Sequence, residues 1–146
     1  KIIFFLYYIK DMDKYYISYI IICVSIIILY GKYRCLCNNS KDPMEYRTDI
    51  DAWSISHFLA FALLGYLYPH SFKKSFSIGC LWELLEFYNE KTKPKYLKNI
   101  GGCPNLTTDR EDQLWWYAKF SDIIMNLLGF IFGASVRFGI LSIMLM

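Results

Sequence analysis

Residues 121–133, SDIIMNLLGFIFG, decide the predicted fold. On an α-helix, which turns about 100° per residue, Asp122, Asn126, Gly129 and Gly133 fall within a narrow arc of one face. Ile, Leu, Phe and Met residues cover the other faces. This combination is typical of a membrane helix that turns its polar, glycine-containing face toward protein and its apolar faces toward lipid. The stretch therefore predicts a helical bundle within a membrane.

The composition of the chain also indicates a membrane protein. Hydrophobic residues make up 55% of the 146 residues, against the roughly 45–50% that is usual in soluble domains. The four tryptophans lie at or near the ends of apolar stretches, as in interfacial belts. Residues 20–29 have no polar face beyond Cys23 and Ser25, which disfavours an aromatic-rich soluble core. The net charge of +3 is small and dispersed, so no nucleic-acid partner is predicted.

The predicted fold is an all-α integral membrane bundle of about four transmembrane helices, built by a single domain over residues 1–146. A bilayer core of about 30 Å requires about 20 helical residues. The apolar runs predict spans at about 15–30, 53–69, 75–88 and 120–145. Long connections, residues 31–52 and 89–119, join the first span to the second and the third to the fourth.

The first residues of the chain are apolar but too short a run to span a membrane. A charged break at residues 10–14 separates residues 2–9 from the first span. They are expected to be the tail of an earlier helix, an interfacial helix or the remnant of a signal segment. Because the chain begins at Lys1, its true start is expected to be processed or absent.

The distribution of basic residues predicts the orientation of the bundle. Residues 31–51 and 89–119 carry ten of the 16 Lys and Arg residues. The positive-inside tendency places both long connections in the cytoplasm. Two glycosylation-type triplets, at residues 38–40 and 105–107, disagree with this orientation.

The five cysteines fall into two groups. Cys35, Cys37 and Cys103 lie in the connections on one side, where they could form a disulfide or bind a metal. Their Cys-x-Cys spacing lacks the Cys-x-x-Cys pairs of a typical zinc site. Cys23 and Cys80 resemble small core residues.

Polar residues in three of the predicted spans form one constellation. Its members are Ser54 and His57 in the second span, Glu83 and Glu86 in the third, and Asp122 and Asn126 in the last. We expect these side chains to turn away from lipid and to meet in the bundle interior. Three carboxylates cannot all stay ionised at low dielectric without compensation, so the cluster is expected to recruit a proton, His57, Arg137 or a metal cation.

Three interpretations of the constellation are open. In the first, the polar groups hydrogen-bond between helices, and Gly129 and Gly133 allow close helix packing. In the second, His57 with Glu83 or Glu86 acts as a general acid and base on a headgroup or a lipid-linked substrate. In the third, four side chains ligate a divalent cation, namely those of His57, Glu83, Glu86 and Asp122. The first interpretation is favoured, and no cofactor is predicted.

Three motifs resemble those of the VanZ-like group of small polytopic membrane proteins. They are Ser54-x-x-His57-Phe58, Trp82-Glu83-x-x-Glu86 and Asp122-x-x-x-Asn126-x-x-Gly129-x-x-x-Gly133. The resemblance covers residues 51–133, and the last motif is the most specific in its spacing. Similar sequences also occur in large DNA viruses that enclose a lipid membrane. The group is known for a link to glycopeptide resistance, so the resemblance implies a fold more than a reaction.

The expected function is structural and follows from the long, charged connections. They predict an integral membrane protein that anchors a bilayer to an adjacent protein layer or to neighbouring subunits through residues 31–52 and 89–119. In a virus with an internal membrane, this role would be that of a membrane-spanning minor capsid protein of the virion. The alternative is a VanZ-like membrane enzyme or binding protein that acts on a lipid-linked or amphiphilic substrate. A structural role is favoured over enzymatic activity.

Overall fold

The computed structural model describes residues 2–36, 50–96, 100 and 117–144. Within these ranges the secondary structure is helical, and no strand is present, which confirms the all-α prediction. The four helices are α1 (Ile2–Leu36), α2 (Ala52–Leu67), α3 (Phe72–Thr92) and α4 (Phe120–Met144). Cys37, Cys103 and the side chain of Cys35 lie outside the described part of the chain, as do most of the two connections. Cys23 and Cys80 are free thiols.

The first helix continues through the predicted break at residues 10–14. It has 35 residues, which corresponds to a length of about 52 Å. No glycine or proline occurs between Ile2 and Tyr30, and Lys and Met are good helix formers. Charged residues by themselves do not end a helix, so the apolar residues 2–9 join the first predicted span instead of forming a separate segment.

Helices α2 and α4 pack closely because glycine removes the side chain where their backbones meet. A Cβ atom added to Gly129 would overlap the carbonyl oxygen of Phe58, and one added to Gly133 would overlap that of Ala62. Gly65 on α2 makes the corresponding contact with α4, because a Cβ atom added to it would overlap the carbonyl oxygen of Phe130. Such small-residue contacts permit the close approach on which membrane helix pairs rely. Among the described helices, α2 and α4 therefore form the most extensive contact.

The contacts of α1 with the other helices use long aromatic side chains. The hydroxyl of Tyr16 lies 3.1 Å from Ser75 Oγ on α3. The hydroxyl of Tyr19 donates to the carbonyl oxygen of Ala60 on α2, at 2.7 Å. Further along α1, the rings of Tyr30 and Trp53 meet edge to face, with centroids 5.5 Å apart. A helix held by tyrosine side chains stands further from its neighbours than one held by glycine contacts, and it leaves space between them.

Among the described residues, two helical segments are long and apolar enough to cross a membrane. They are Lys14–Tyr33 in α1 and Phe120–Gly139 in α4. Only 11% of the α1 segment is buried, and isoleucines such as Ile17, Ile21 and Ile26 are exposed. Helix α2 is apolar but shorter. Helix α3 carries lysines in its first turn and several glutamates further along, which lowers its hydropathy.

Candidate functional site

Asp51 begins α2 and connects it to the segment that precedes α4. It is the N-cap residue, and its Oδ1 accepts a hydrogen bond from the backbone N–H of Ser54 at 3.0 Å. Aspartate suits this position because it satisfies an N–H group that has no partner within the helix. Its other oxygen accepts from the hydroxyl of Tyr117 at 3.0 Å and from the ammonium of Lys119. The fully buried carboxylate thus holds two chain segments 66 to 68 residues apart.

Ser54 lies between two buried carboxylates. Its hydroxyl is 3.2 Å from Asp51 Oδ1 and makes a shorter contact with Asp122 Oδ1. A hydroxyl has one proton, so Ser54 cannot donate fully to both acceptors. Asp122 occupies the first turn of α4, where the positive end of the helix dipole favours a carboxylate.

His57, Glu83 and Asn126 form the centre of the polar cluster. His57 Nδ1 lies 3.0 Å from Asn126 Oδ1 and 3.7 Å from Glu83 Oε1. The backbone N–H of Lys119 donates to the other oxygen of Glu83 at 3.3 Å. Among the residues that the structure describes, neither Glu83 Oε1 nor Asn126 Nδ2 has a hydrogen-bond partner. Two buried polar atoms of this cluster are therefore available for a further ligand.

Glu86 completes the cluster on the same face of α3 as Glu83. One possible ligand atom from each of His57, Glu83 and Glu86 lies within 4.8 Å of the other two. With Asp122, the cluster has three carboxylates, while the ammonium of Lys119 contacts Asp51. Buried carboxylates need paired cations, protons or hydrogen-bond donors. The site is therefore suited to a ligand that supplies positive charge or donors.

A cavity of about 150 Å³ adjoins this cluster, comparable to one that holds a benzene molecule. Its polar lining includes Ser56, His57, Glu86, Tyr117, Asp122 and Asn126. The α1 side of its wall consists of Tyr19, Ile20, Cys23, Val24 and Ile27, and Trp53, Ala60, Phe61, Leu64, Ile78 and Trp82 line it from α2 and α3. The cavity is thus lined by acidic side chains as well as by apolar ones.

The structure brings together the polar residues singled out from three helices. Ser54 contacts Asp122, and His57 contacts Asn126 and approaches Glu83. Arg137 is exposed elsewhere on α4, with its guanidinium 5.4 Å from the centre of the Tyr66 ring. Gly129 and Gly133 lie in the α2–α4 contact.

The sequence interpretation missed three residues of the site, namely Asp51, Tyr117 and Lys119. An available signal was the position of Asp51 immediately before an apolar helix, where aspartate acts as an N-cap. No periodicity connects Asp51 to Tyr117 or Lys119, because these residues lie outside the helices. Their contacts depend on how α2 and α4 are brought together.

The interactions of Asp51 predict a loss of stability in acid. Burial favours the neutral carboxyl, but the hydrogen bonds from Lys119, Ser54 and Tyr117 outweigh it and hold the pKa of Asp51 below its usual value. The stabilisation is complete above the unfolded-state pKa of about 4 and is lost as the pH falls through the lower folded-state pKa. Thermal unfolding in detergent micelles between pH 7 and pH 2 should show this loss. Asp51→Asn should flatten it, and an unchanged pH slope would contradict the assignment.

No protein-family model, curated protein or solved structure matches the chain. The functional argument therefore starts from the geometry of the site.

Proposed function

We propose that the protein is a multi-pass membrane protein that binds an amphiphile. Its polar end would meet His57, Glu86 and Asp122, the first part of its chain would occupy the cavity, and the rest of the chain would extend along α1 into the lipid. The single observation that carries this proposal is the continuity of the acidic cluster with an apolar cavity. A ligand that fills such a space needs both a polar and an apolar part.

The surfaces of α1 and α4 support a membrane location. Both helices contain a segment of 20 residues with the length and hydropathy of a membrane span. Exposed isoleucines on α1 and the exposed Leu128 and Phe132 on α4 would face lipid. Helices α2 and α3 would complete the bundle and keep the polar cluster away from the hydrocarbon.

The chemistry of the cluster supports a polar end that carries hydroxyl groups. Glu86 and Asp122 offer carboxylate oxygens to the cavity, and these accept hydrogen bonds from hydroxyls. A bare anionic headgroup would meet the same carboxylates and be repelled. Each hydrogen bond to a charged acceptor contributes about 1.5–3 kcal/mol, which corresponds to about tenfold or more in Kd.

The way α1 is held supports entry of the chain from the lipid side. Tyr16, Tyr19 and Tyr30 bridge from α1 to the other helices. Between these contacts, the wall of the cavity consists of side chains that would move aside more easily than a glycine-packed backbone. An alkyl chain inserted there gains the free energy of apolar contact without breaking the α2–α4 pair.

Native mass spectrometry tests the proposal with monoolein, a hydroxyl-bearing amphiphile, and with methyl oleate, which has the same chain and no hydroxyl. Protein in a zwitterionic detergent with EDTA should retain one monoolein and bind methyl oleate about tenfold more weakly or worse. Ala60→Phe fills the cavity and should abolish the monoolein adduct. Leu59→Phe, next in sequence but exposed, is the matched control and should keep it.

Two results would overturn the proposal. Equal monoolein binding by the Ala60→Phe and Leu59→Phe variants would show that the chain lies outside the cavity. Equal binding of monoolein and methyl oleate would show that the carboxylates do not recognise the polar end.

The anchoring role and the resemblance to the VanZ-like group stay predictions. The connections that would touch a protein layer, such as that of a viral capsid, lie largely outside the described residues. The amphiphile proposal agrees with the alternative function predicted from the sequence, in which the protein acts on a lipid-linked or amphiphilic substrate.

A further inference from the structure

We propose that His57, Glu83 and Glu86 bind a divalent first-row transition-metal cation. This inference does not depend on the amphiphile, because it rests on the geometry and charge of the cluster alone. The ion would use part of the same cluster, so an amphiphile bound beside it would meet Asp122 and an open coordination position of the ion, and the apolar part of the cavity would stay unchanged.

The three side chains are arranged closely enough to ligate one ion. Glu83 and Glu86 are three residues apart on α3 and thus share one helix face, and His57 approaches them from α2. One ligand atom from each lies within 4.8 Å of the others. Ligand bonds of about 2.0–2.2 Å bring donors to roughly 3–4 Å from one another. The separation of 3.7 Å between His57 Nδ1 and Glu83 Oε1 already falls in this range, so a rotamer adjustment of Glu86 would complete the set.

The unsatisfied oxygen of Glu83 is a second, independent indication of a ligand. Glu83 is 4% exposed, and among the described residues its Oε1 has no hydrogen-bond partner. Its other oxygen is held by the backbone of Lys119, which fixes the direction of the carboxylate. A buried acceptor in this position has lost its hydration without replacement, and a bound cation supplies that replacement.

The excess of carboxylates in the cluster also indicates a bound cation. Glu83, Glu86 and Asp122 place three carboxylates close together, and the nearby ammonium of Lys119 contacts Asp51. A divalent cation would offset most of this negative charge at one point. Because the same nitrogen of His57 contacts Asn126 Oδ1, ligation of a cation by Nδ1 would replace that contact.

The donor set indicates the class of cation. Imidazole favours ions such as Zn²⁺, and carboxylates suit Mn²⁺ as well, so one histidine with two glutamates fits either ion. Three protein ligands leave at least one coordination position for water or another oxygen ligand. Mn²⁺ is the more selective probe here, because the thiols of this chain, which bind Zn²⁺, are poor ligands for it.

Electron paramagnetic resonance of Mn²⁺ added to the EDTA-stripped and dialysed protein in detergent tests the site. Wild-type protein should bind one equivalent, and its melting temperature should rise with the Mn²⁺ concentration. Glu86→Gln and His57→Gln should each weaken binding about tenfold or more. Glu90→Gln, on the same helix but outside the cluster, is the matched control and should bind as the wild type does.

Absence of saturable Mn²⁺ binding by the wild type would overturn the proposal even if every variant misfolded. Unchanged affinity in Glu86→Gln, with melting behaviour like that of the wild type, would also overturn it. The monoolein experiment is performed in EDTA, so it can succeed or fail separately from the metal titration.

Discussion

Gly133→Ala should destabilise the protein by about 3 kcal/mol or more, because its new Cβ atom would overlap the backbone carbonyl oxygen of Ala62. The obstructing atoms belong to the backbone of α2, so no side-chain rotation can relieve the overlap. The helices would have to separate, which also loosens the contact at Gly129. Reversible unfolding by SDS titration or by heat in detergent measures the effect.

Gly139→Ala is the matched control on the same helix. A Cβ atom there meets no other heavy atom within 4 Å among the described residues. Alanine is favoured over glycine inside a helix by about 1 kcal/mol, so this variant should be as stable as the wild type or slightly more so. Similar stabilities of the Gly133→Ala and Gly139→Ala variants would contradict the close α2–α4 contact.

Lys119→Met should destabilise the protein by about 3–5 kcal/mol, because it leaves the buried carboxylate of Asp51 without its cation. The Asp51 side chain is 0% exposed and that of Lys119 is 20% exposed, so water compensates poorly for the loss. The hydroxyl of Tyr117 would remain as a donor and would keep part of the stability. Chemical or thermal unfolding at pH 7 provides the measurement.

A double-mutant cycle separates the ion pair from other effects of the substitution. Asp51→Asn combined with Lys119→Met should recover part of the stability, because the uncompensated charge is then absent. Lys91→Met is the control, since Lys91 is 62% exposed and lies 3.9 Å from Glu90. Such a surface pair contributes only about 0–1 kcal/mol. If Lys119→Met cost no more than Lys91→Met, the buried pair would not stabilise the fold.

Helical periodicity accounts for what could be predicted of the fold and the site. Asp122, Asn126, Gly129 and Gly133 share one face because a helix repeats locally, and the order of residues alone reveals that face. The same reasoning selected His57 on α2. Periodicity identifies the face of each helix but not its partner, so the burial of Gly133 against Ala62 required the structure.

Contacts between segments distant in sequence could not be predicted in the same way. The ion pair between Asp51 and Lys119 joins residues 68 positions apart, and neither belongs to a helical pattern. The continuation of α1 through residues 10–14 was missed for another reason. Charge at residues 10–14 predicts an interruption, but helices end through capping residues, glycine or proline more often than through charge.

Tyrosine side chains hold α1 at a distance from the other helices. The residues that set the size of the cavity are therefore different from the residues that pack α2 against α4. The closest backbone contacts of the glycines lie between α2 and α4, whereas Ile20, Val24 and Ile27 line the cavity from α1. Replacing these aliphatic side chains by smaller or larger ones would change the volume of the cavity and would not alter the glycine contact between α2 and α4. Sequence changes at these three positions would change which ligand fits the proposed amphiphile site and would leave the α2–α4 contact as it is.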